Sequence, residues 1–388
     1  MTSSIESTFE AAVAAKVIPG AIVVASSTDG KFKYARSFGL RSLKDVVDGT
    51  PEQLELDAVL WMGSCTKIMT AIAALQCVER GHFTLDEDVT RLLPELKDIE
   101  LQVPCNGGGF ELVKAKNTIT MRRLLNHTSG LSYTKFGKLD LPLLERCLAP
   151  LVFEPGKGFM YGTGTDFAGL MVERVTGLTL ETYIQQNVAA PLGIKRICFR
   201  PPEHPDMLAR LPDVSKRILS SGELEYTADK IWPLDFKEDS GGSGAYTTIP
   251  EFQRILHSIT ANDGVLLTST MVDELFRPDM DPEVVQSVKK TLENETTNNI
   301  FGGLPKGTEV SYAMGGMVVL EDLEGRRPKG TLHWGALLNI FFWMDRENGL
   351  SGIFGSQVFP AGDTKCLGLF AEFESGVYEA YRSIVEDR

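Results

Sequence analysis

Ser64 and Lys67 lie three residues apart in the tetrapeptide Ser64-Cys65-Thr66-Lys67. On a helix that spacing puts both side chains on one face, about a turn apart. A helix mouth also has free N–H groups that favour negative charge. An amine beside a hydroxyl at such a place suits nucleophilic chemistry, with serine as the nucleophile. The surrounding residues fit a buried helix. The apolar approach Val59-Leu60-Trp61-Met62 ends at Gly63. Ile68, Ala71, Ile72, Leu75 and Val78 then recur at helical spacing, and Glu79-Arg80-Gly81 closes the run. The same spacing recurs at Ser132–Lys135, in a loop-like aromatic stretch, and at Ser287–Lys290, in a polar segment without an apolar face. Only at Ser64 does the lysine fall on a helix expected to be buried. The plain alternative is an N-cap serine with a snorkelling lysine.

Other chemistries lack their residues. There is no G-x-S-x-G elbow, no H-E-x-x-H or comparable metal spacing, no G-x-x-x-x-G-K-[ST] and no G-x-G-x-x-G after a strand. His82 follows a helix stop, His204 sits among prolines and His257 lies on an expected helix, so none offers an obvious base. A serine activated by a lysine is what remains.

The elements around this pair change character along the chain. Residues 4–16 read as an amphipathic helix. Residues 21–27 and 31–39 read as a hairpin about Thr28-Asp29-Gly30. From about 65 to 200 the pattern is helical with few strand signals, including within 119–133 a helix running into His127-Thr128-Ser129-Gly130, a Pro155-Gly156 turn before Tyr161, and a glycine loop at 105–109. Residues 211–230 look irregular, and Ser240-Gly241-Gly242-Ser243-Gly244 reads as a flexible turn. Two helices follow in 250–275, then a polar excursion or lid over 279–310. Strand-like runs at 314–322, 330–345 and 351–359 precede a helical C-terminus. Strands at both ends with helices between them predict one sheet assembled from the two termini: residues 1–63 and 245–388, with a helix-rich insertion at 64–244 and the site at their interface.

A chain of 388 residues with 43% hydrophobic and 23% charged residues is ordinary for a globular protein, and its net charge of −13 argues against nucleic acid or an anionic membrane as the main partner. Six scattered cysteines without a CxxC pair read as reduced thiols. The polar N-terminus and the lack of a transmembrane-length apolar run point to the cytosol.

Ser64-x-x-Lys67, then Tyr161-Gly162-Thr163, then His333-Trp334-Gly335 resemble the three ordered motifs of the class C β-lactamase and serine esterase superfamily. Residues 119–133 and 161–183 are similar to that superfamily as well. Residues 204–216, 254–267 and 315–325 resemble more narrowly the fungal lovastatin-type acyltransferases. The resemblance implies an α/β (α+β) fold of the β-lactamase/transpeptidase type, in which terminal helices flank an antiparallel sheet and a helical domain is inserted. It implies Ser64 as the acylated nucleophile, Lys67 as holder of the proton network and Tyr161 as general base and later acid. It also implies an oxyanion hole from the N–H groups of Ser64 and Ala336, and substrate contacts from Tyr133, His333, Trp334 and Gly335. No metal or organic cofactor is implied.

Two departures bear on the substrate. Thr163 stands where the middle motif usually has Asn. His333 stands where the third usually has the Lys that helps bind a substrate carboxylate. Losing that charge favours a neutral ester or a polyketide, with Trp334, Phe341, Phe342 and Trp343 as candidate pocket aromatics, several of them expected in the sheet core because strand residues alternate faces. The expected activity is transfer of an acyl group from a thioester, free or held on a carrier domain, to a hydroxyl of a secondary metabolite. A hydrolase using water and a non-catalytic binding protein are the alternatives.

Overall fold

The computed structural model describes residues 2–44, 49–105, 107–135, 137–138, 141–229, 231–234 and 236–386. The chain opens with helix α1 (Ser3–Ala14) and the antiparallel hairpin of β1 (Gly20–Ser27) and β2 (Lys33–Gly39), as the alternation predicts. Strand β3 (Val59–Trp61) leads to α2 (Thr66–Glu79). After α3 (Gly164–Thr176) come β4 (Tyr246–Thr248), α4 (Ile249–Ala261) and the short α5 (Glu295–Ile300). Strands β5 (Val310–Ala313), β6 (Gly316–Val319), β7 (Leu332–Ala336), β8 (Ile340–Asp345) and β9 (Leu350–Gly355) follow, and α6 (Thr364–Glu386) ends the chain.

Seven strands form one antiparallel sheet in the order β5-β6-β7-β8-β9-β1-β2. The β1–β9 pairing, Ile22 opposite Gly355 through Ser27 opposite Leu350, joins the two ends of the sequence. Successive strand residues face opposite sides. Phe341, Trp343 and Phe354 therefore pack with Phe9 of α1 and Phe370 and Phe373 of α6, while Ile22, Phe342 and Ile353 join α2 and α4 on the other face. Of the four candidate pocket aromatics, Phe341, Phe342 and Trp343 are the ones that belong to the sheet core, each at most 1% exposed.

β3 pairs antiparallel with β4, setting Trp61 opposite Tyr246 and Val59 opposite Thr248. Ser64, three residues beyond Trp61, is thereby brought beside Ser243, three residues before Tyr246.

Other differences have local causes. Residues 119–133 are helical only over Met121–Leu125, because Asn126 ends the helix and His127 takes a φ of +61°. Inside the stretch read as helical, Glu100–Pro104 pairs with Phe110–Lys114 as a hairpin, and of the loop expected over 105–109 Asn106 lies outside the described residues. Residues 215–226 hold a second small hairpin. The single run expected over 330–345 is two strands folded about Leu337-Leu338-Asn339, with Asn339 at a φ of +57°. The 279–310 excursion is largely helical, Pro282–Leu292 and then α5.

Candidate active site

Gly63–Cys65 forms a single tight turn and α2 begins at Thr66, so Ser64 sits just before the helix rather than in it. A Cβ on Gly63 would lie 3.3 Å from the Ala336 Cβ and 3.7 Å from the Leu337 nitrogen. The serine turn therefore abuts the end of β7, and the backbones of Ser64 and Ala336 are near neighbours.

One turn on, Lys67 is only 5% exposed. A buried amine needs partners, and three kinds of group supply them. Its Nζ donates to the Gly242 carbonyl at 2.7 Å and stands 3.5 Å from Ser64 Oγ, the long end of a hydrogen bond. It also lies 4.8 Å from the centre of the Tyr161 ring and 5.7 Å from that of Tyr133.

The Ser240–Gly244 stretch, read as a flexible turn, is instead buried and bonded throughout. The carbonyls of Gly241, Gly242 and Ser243 accept from Thr70 Oγ1, Lys67 Nζ and Trp61 Nε1 respectively. Asp166 of α3 clamps it from behind, accepting from Ser240 Oγ at 2.6 Å and the Gly242 N–H at 3.0 Å. Its glycines are there for close approach: a Cβ on Gly241 would fall 2.7 Å from the Thr165 carbonyl oxygen, and one on Gly242 2.7 Å from Asp166 Oδ2. Sequence reasoning missed this loop. The only signal was three glycines returning toward the strand that pairs with β3.

Tyr161 enters the site just before α3. Its hydroxyl is buried without a hydrogen-bond partner among the described residues. Its ring touches those of His127 (4.5 Å between centres), Trp334 (5.1 Å), Phe301 (5.3 Å) and Tyr133 (5.6 Å). His127 braces the turn by accepting from the Gly162 N–H through Nδ1 at 3.3 Å. Burial, and secondarily Lys67, holds that imidazole well below its ordinary pKa of 6.5. Burial likewise raises the Tyr133 phenol well above 10. Thr163 is turned away from the cavity, donating to the Cys147 carbonyl.

These groups line a cavity of about 410 Å³ whose described walls carry no charged side chain: Ser64, Tyr133, Tyr161, Ser243, Trp61 and Trp334, with Ile300, Phe301 and the backbone of Gly335–Leu337 among them. Ser64, Tyr161, Tyr133, Trp334, Gly335 and Ala336 are brought together as expected. His333 is not. It is 1% exposed, faces away from the cavity because its neighbour Trp334 faces in, and lies under Gly302, whose Cβ would stand 3.4 Å from its Nδ1. Burial, with Arg327 and Arg326 nearby, keeps it uncharged by lowering its pKa well below 6.5. The substrate-contact role expected of His333 is thus corrected. Phe301, unnoticed in a polar stretch, takes its place in the wall. Among the described residues no cluster of possible metal ligands occurs, and no helix is long and apolar enough to cross a membrane.

An antiparallel sheet backed by terminal helices, with a serine and a lysine at the mouth of a buried helix, defines the Beta-lactamase family. Its profile matches residues 5–368, and the chain belongs to that family. The chain is 35% identical to monacolin J acid methylbutanoyltransferase of Aspergillus terreus over 97% of its own length and 95% of the relative's. It is 34% identical to lovastatin esterase of Penicillium rubens over 97% and 98% of the two chains. It superposes on a mutant of simvastatin synthase from Aspergillus terreus with a TM-score of 0.91 at 36% identity, covering 98% of each chain. The protein is therefore an enzyme with the β-lactamase/transpeptidase-like fold, among relatives that are acyltransferases and esterases, and the reading as a non-catalytic scaffold falls away.

Proposed function

We infer that the chain is a serine acyltransferase that takes an acyl group from a thioester onto Ser64 and passes it to a hydroxyl of a polyketide or similar metabolite. The observation that carries the reading is the buried Lys67 amine, within 3.5 Å of Ser64 Oγ and against the Tyr161 ring, beside an uncharged aromatic cavity. Ser64 Oγ attacks the thioester carbonyl while its proton passes to the Lys67–Tyr161 pair. The oxyanion faces the N–H groups of Ser64 and Ala336, a contribution of about 3 kcal/mol per donor. The C–S bond then breaks and the sulfur leaves as a thiol with that proton. In the second half the acceptor oxygen attacks the acyl carbon, the same pair takes its proton, and Ser64 recovers it as the ester departs.

In this reading the chemistry lies between a sheet unit (1–63 and 245–388) and an inserted helical unit (64–244). A free thioester or one carried on a protein domain would serve as donor. Hydrolysis is the second reading, because one relative of equal coverage is named an esterase. Intact-mass measurement after incubation with a panel of acyl thioesters tests the acyl-enzyme. Wild type gains one acyl mass and Ser64→Ala gains none. A wild type that takes up neither an acyl group nor a serine-reactive fluorophosphonate would remove the reading. Adding candidate alcohols then separates the two activities, since product ester appears only if transfer occurs.

A further inference from the structure

The segment over 279–310 ends at the cavity. Helix α5 stops at Ile300, and the chain turns through Phe301-Gly302-Gly303 with φ of +114° and +63° at the two glycines. The turn is fastened on several sides. The Gly303 N–H donates to the Asn298 carbonyl at 2.9 Å, and Asn298 Nδ2 donates to the Leu304 carbonyl at 2.7 Å. A Cβ on Gly362 would stand 2.9 Å from the Ile300 nitrogen, so the end of α5 leans directly on that backbone. Gly302 rests on the buried ring of His333. Phe301 is thereby pressed onto Trp334, 4.9 Å between ring centres, and onto Tyr161, while Ile300 beside it is 37% exposed at the rim. Phe301, 6% exposed, is thus a buried ring between the cavity of Ser64 and that rim.

The geometry points to Phe301, seated through the Gly302–Gly303 turn on His333, as the wall that withholds water from acyl-Ser64 and so leaves the acyl group to a hydroxyl acceptor. This rests on the acyl-serine reading above. Water and an alcohol compete for one intermediate by the same bond changes. The oxygen adds to the acyl carbon, the bond from that carbon to Ser64 Oγ breaks, and the nucleophile's proton ends on Ser64. A carboxylic acid leaves in one case and an ester in the other. An apolar ring disfavours a lone water, whereas a bulky acceptor fills the space itself. The third-motif residue accordingly acts here as a positioning residue beneath the wall.

The test is the decay of acyl-Ser64 followed by intact mass after excess donor is removed, without acceptor. Phe301→Ala is expected to lose its acyl group at least tenfold faster than wild type, and Phe301→Leu less than threefold faster. His333→Gln, which leaves the cavity lining intact, should shift decay in the Phe301→Ala direction beyond any change in its melting temperature. With acceptor present, the ester-to-acid product ratio of Phe301→Ala should fall by the same factor. Decay of Phe301→Ala within twofold of wild type overturns the wall while leaving the acyl-enzyme standing. A wild type that never carries the acyl group overturns both.

Discussion

Lys67 places its amine among a backbone carbonyl, a serine hydroxyl and two phenol rings. A site so arranged relies on shared positions more than on any single charge. Lys67→Ala and Tyr161→Phe should each lower kcat by roughly a thousandfold, and the double variant should lose little more, because groups acting as a unit give non-additive losses. Steady-state kinetics on one acyl thioester, with folding checked by circular dichroism, measures this; additive losses would mean the two act separately. At this scale the spacing made Ser64 and Lys67 legible, while Tyr161 and Trp334 came only with the family resemblance. The resemblance misled at His333, although strand alternation already requires His333 and Trp334 to face opposite sides. Which of the two faces the cavity depends on the layer that packs above them, and the sequence pattern does not carry that.

Between residue and molecule, the decisive element is the Ser240–Gly244 loop. Glycine runs have the same composition whether they are mobile or pressed flat against a helix, so the expectation of flexibility had no way to see Thr165 and Asp166 behind them. The structure makes the difference measurable. Gly241→Ala drives a Cβ against a backbone carbonyl that cannot move aside, so it should cost about 1–3 kcal/mol in urea unfolding. Gly242→Ala meets the Asp166 carboxylate and displaces the carbonyl that holds Lys67, so its turnover should fall proportionately more than its stability. The run over 330–345 was misread for a related reason. Its turn, Leu337-Leu338-Asn339, is mostly apolar, and of the usual turn residues it has only Asn339, which takes the positive φ. The β1–β2 hairpin, with Asp29-Gly30 at its tip, was legible because its turn chemistry is local.

Across the whole molecule, α6 is tied down by a buried ion pair: Glu374 accepts from Arg326 Nε at 2.6 Å and from Arg327 Nη2 at 2.8 Å. Glu374→Ala strands buried guanidinium groups and should cost about 3–5 kcal/mol, read from the denaturation midpoint. The two buried histidines predict a pH dependence. For His127 and His333 the folded pKa lies below the ordinary 6.5, so in that range the unfolded chain binds more protons. Their contribution is complete above about 6.5 and declines as pH falls toward the folded values, by about 1.4 kcal/mol per pH unit for each residue. Urea titrations from pH 7.5 to roughly 5.5 should show that decline, and His333→Gln should flatten it. An unchanged slope in that variant would mean His333 takes up its proton in the folded state as readily as in the unfolded one.

The partnership of β1 with β9 also sets the order of assembly. Residues 20–27 leave the ribosome early, yet the strand that completes their hydrogen bonding ends at Gly355. Helix α2 with Ser64 is synthesised long before the floor beneath it exists. A nascent chain stalled short of Leu350 would present the bare edge of β1, a template for misassociation. The sheet therefore cannot close until residues 350–355 have been made, and shortening the carboxyl end should deplete folded enzyme far more than its distance from Ser64 suggests.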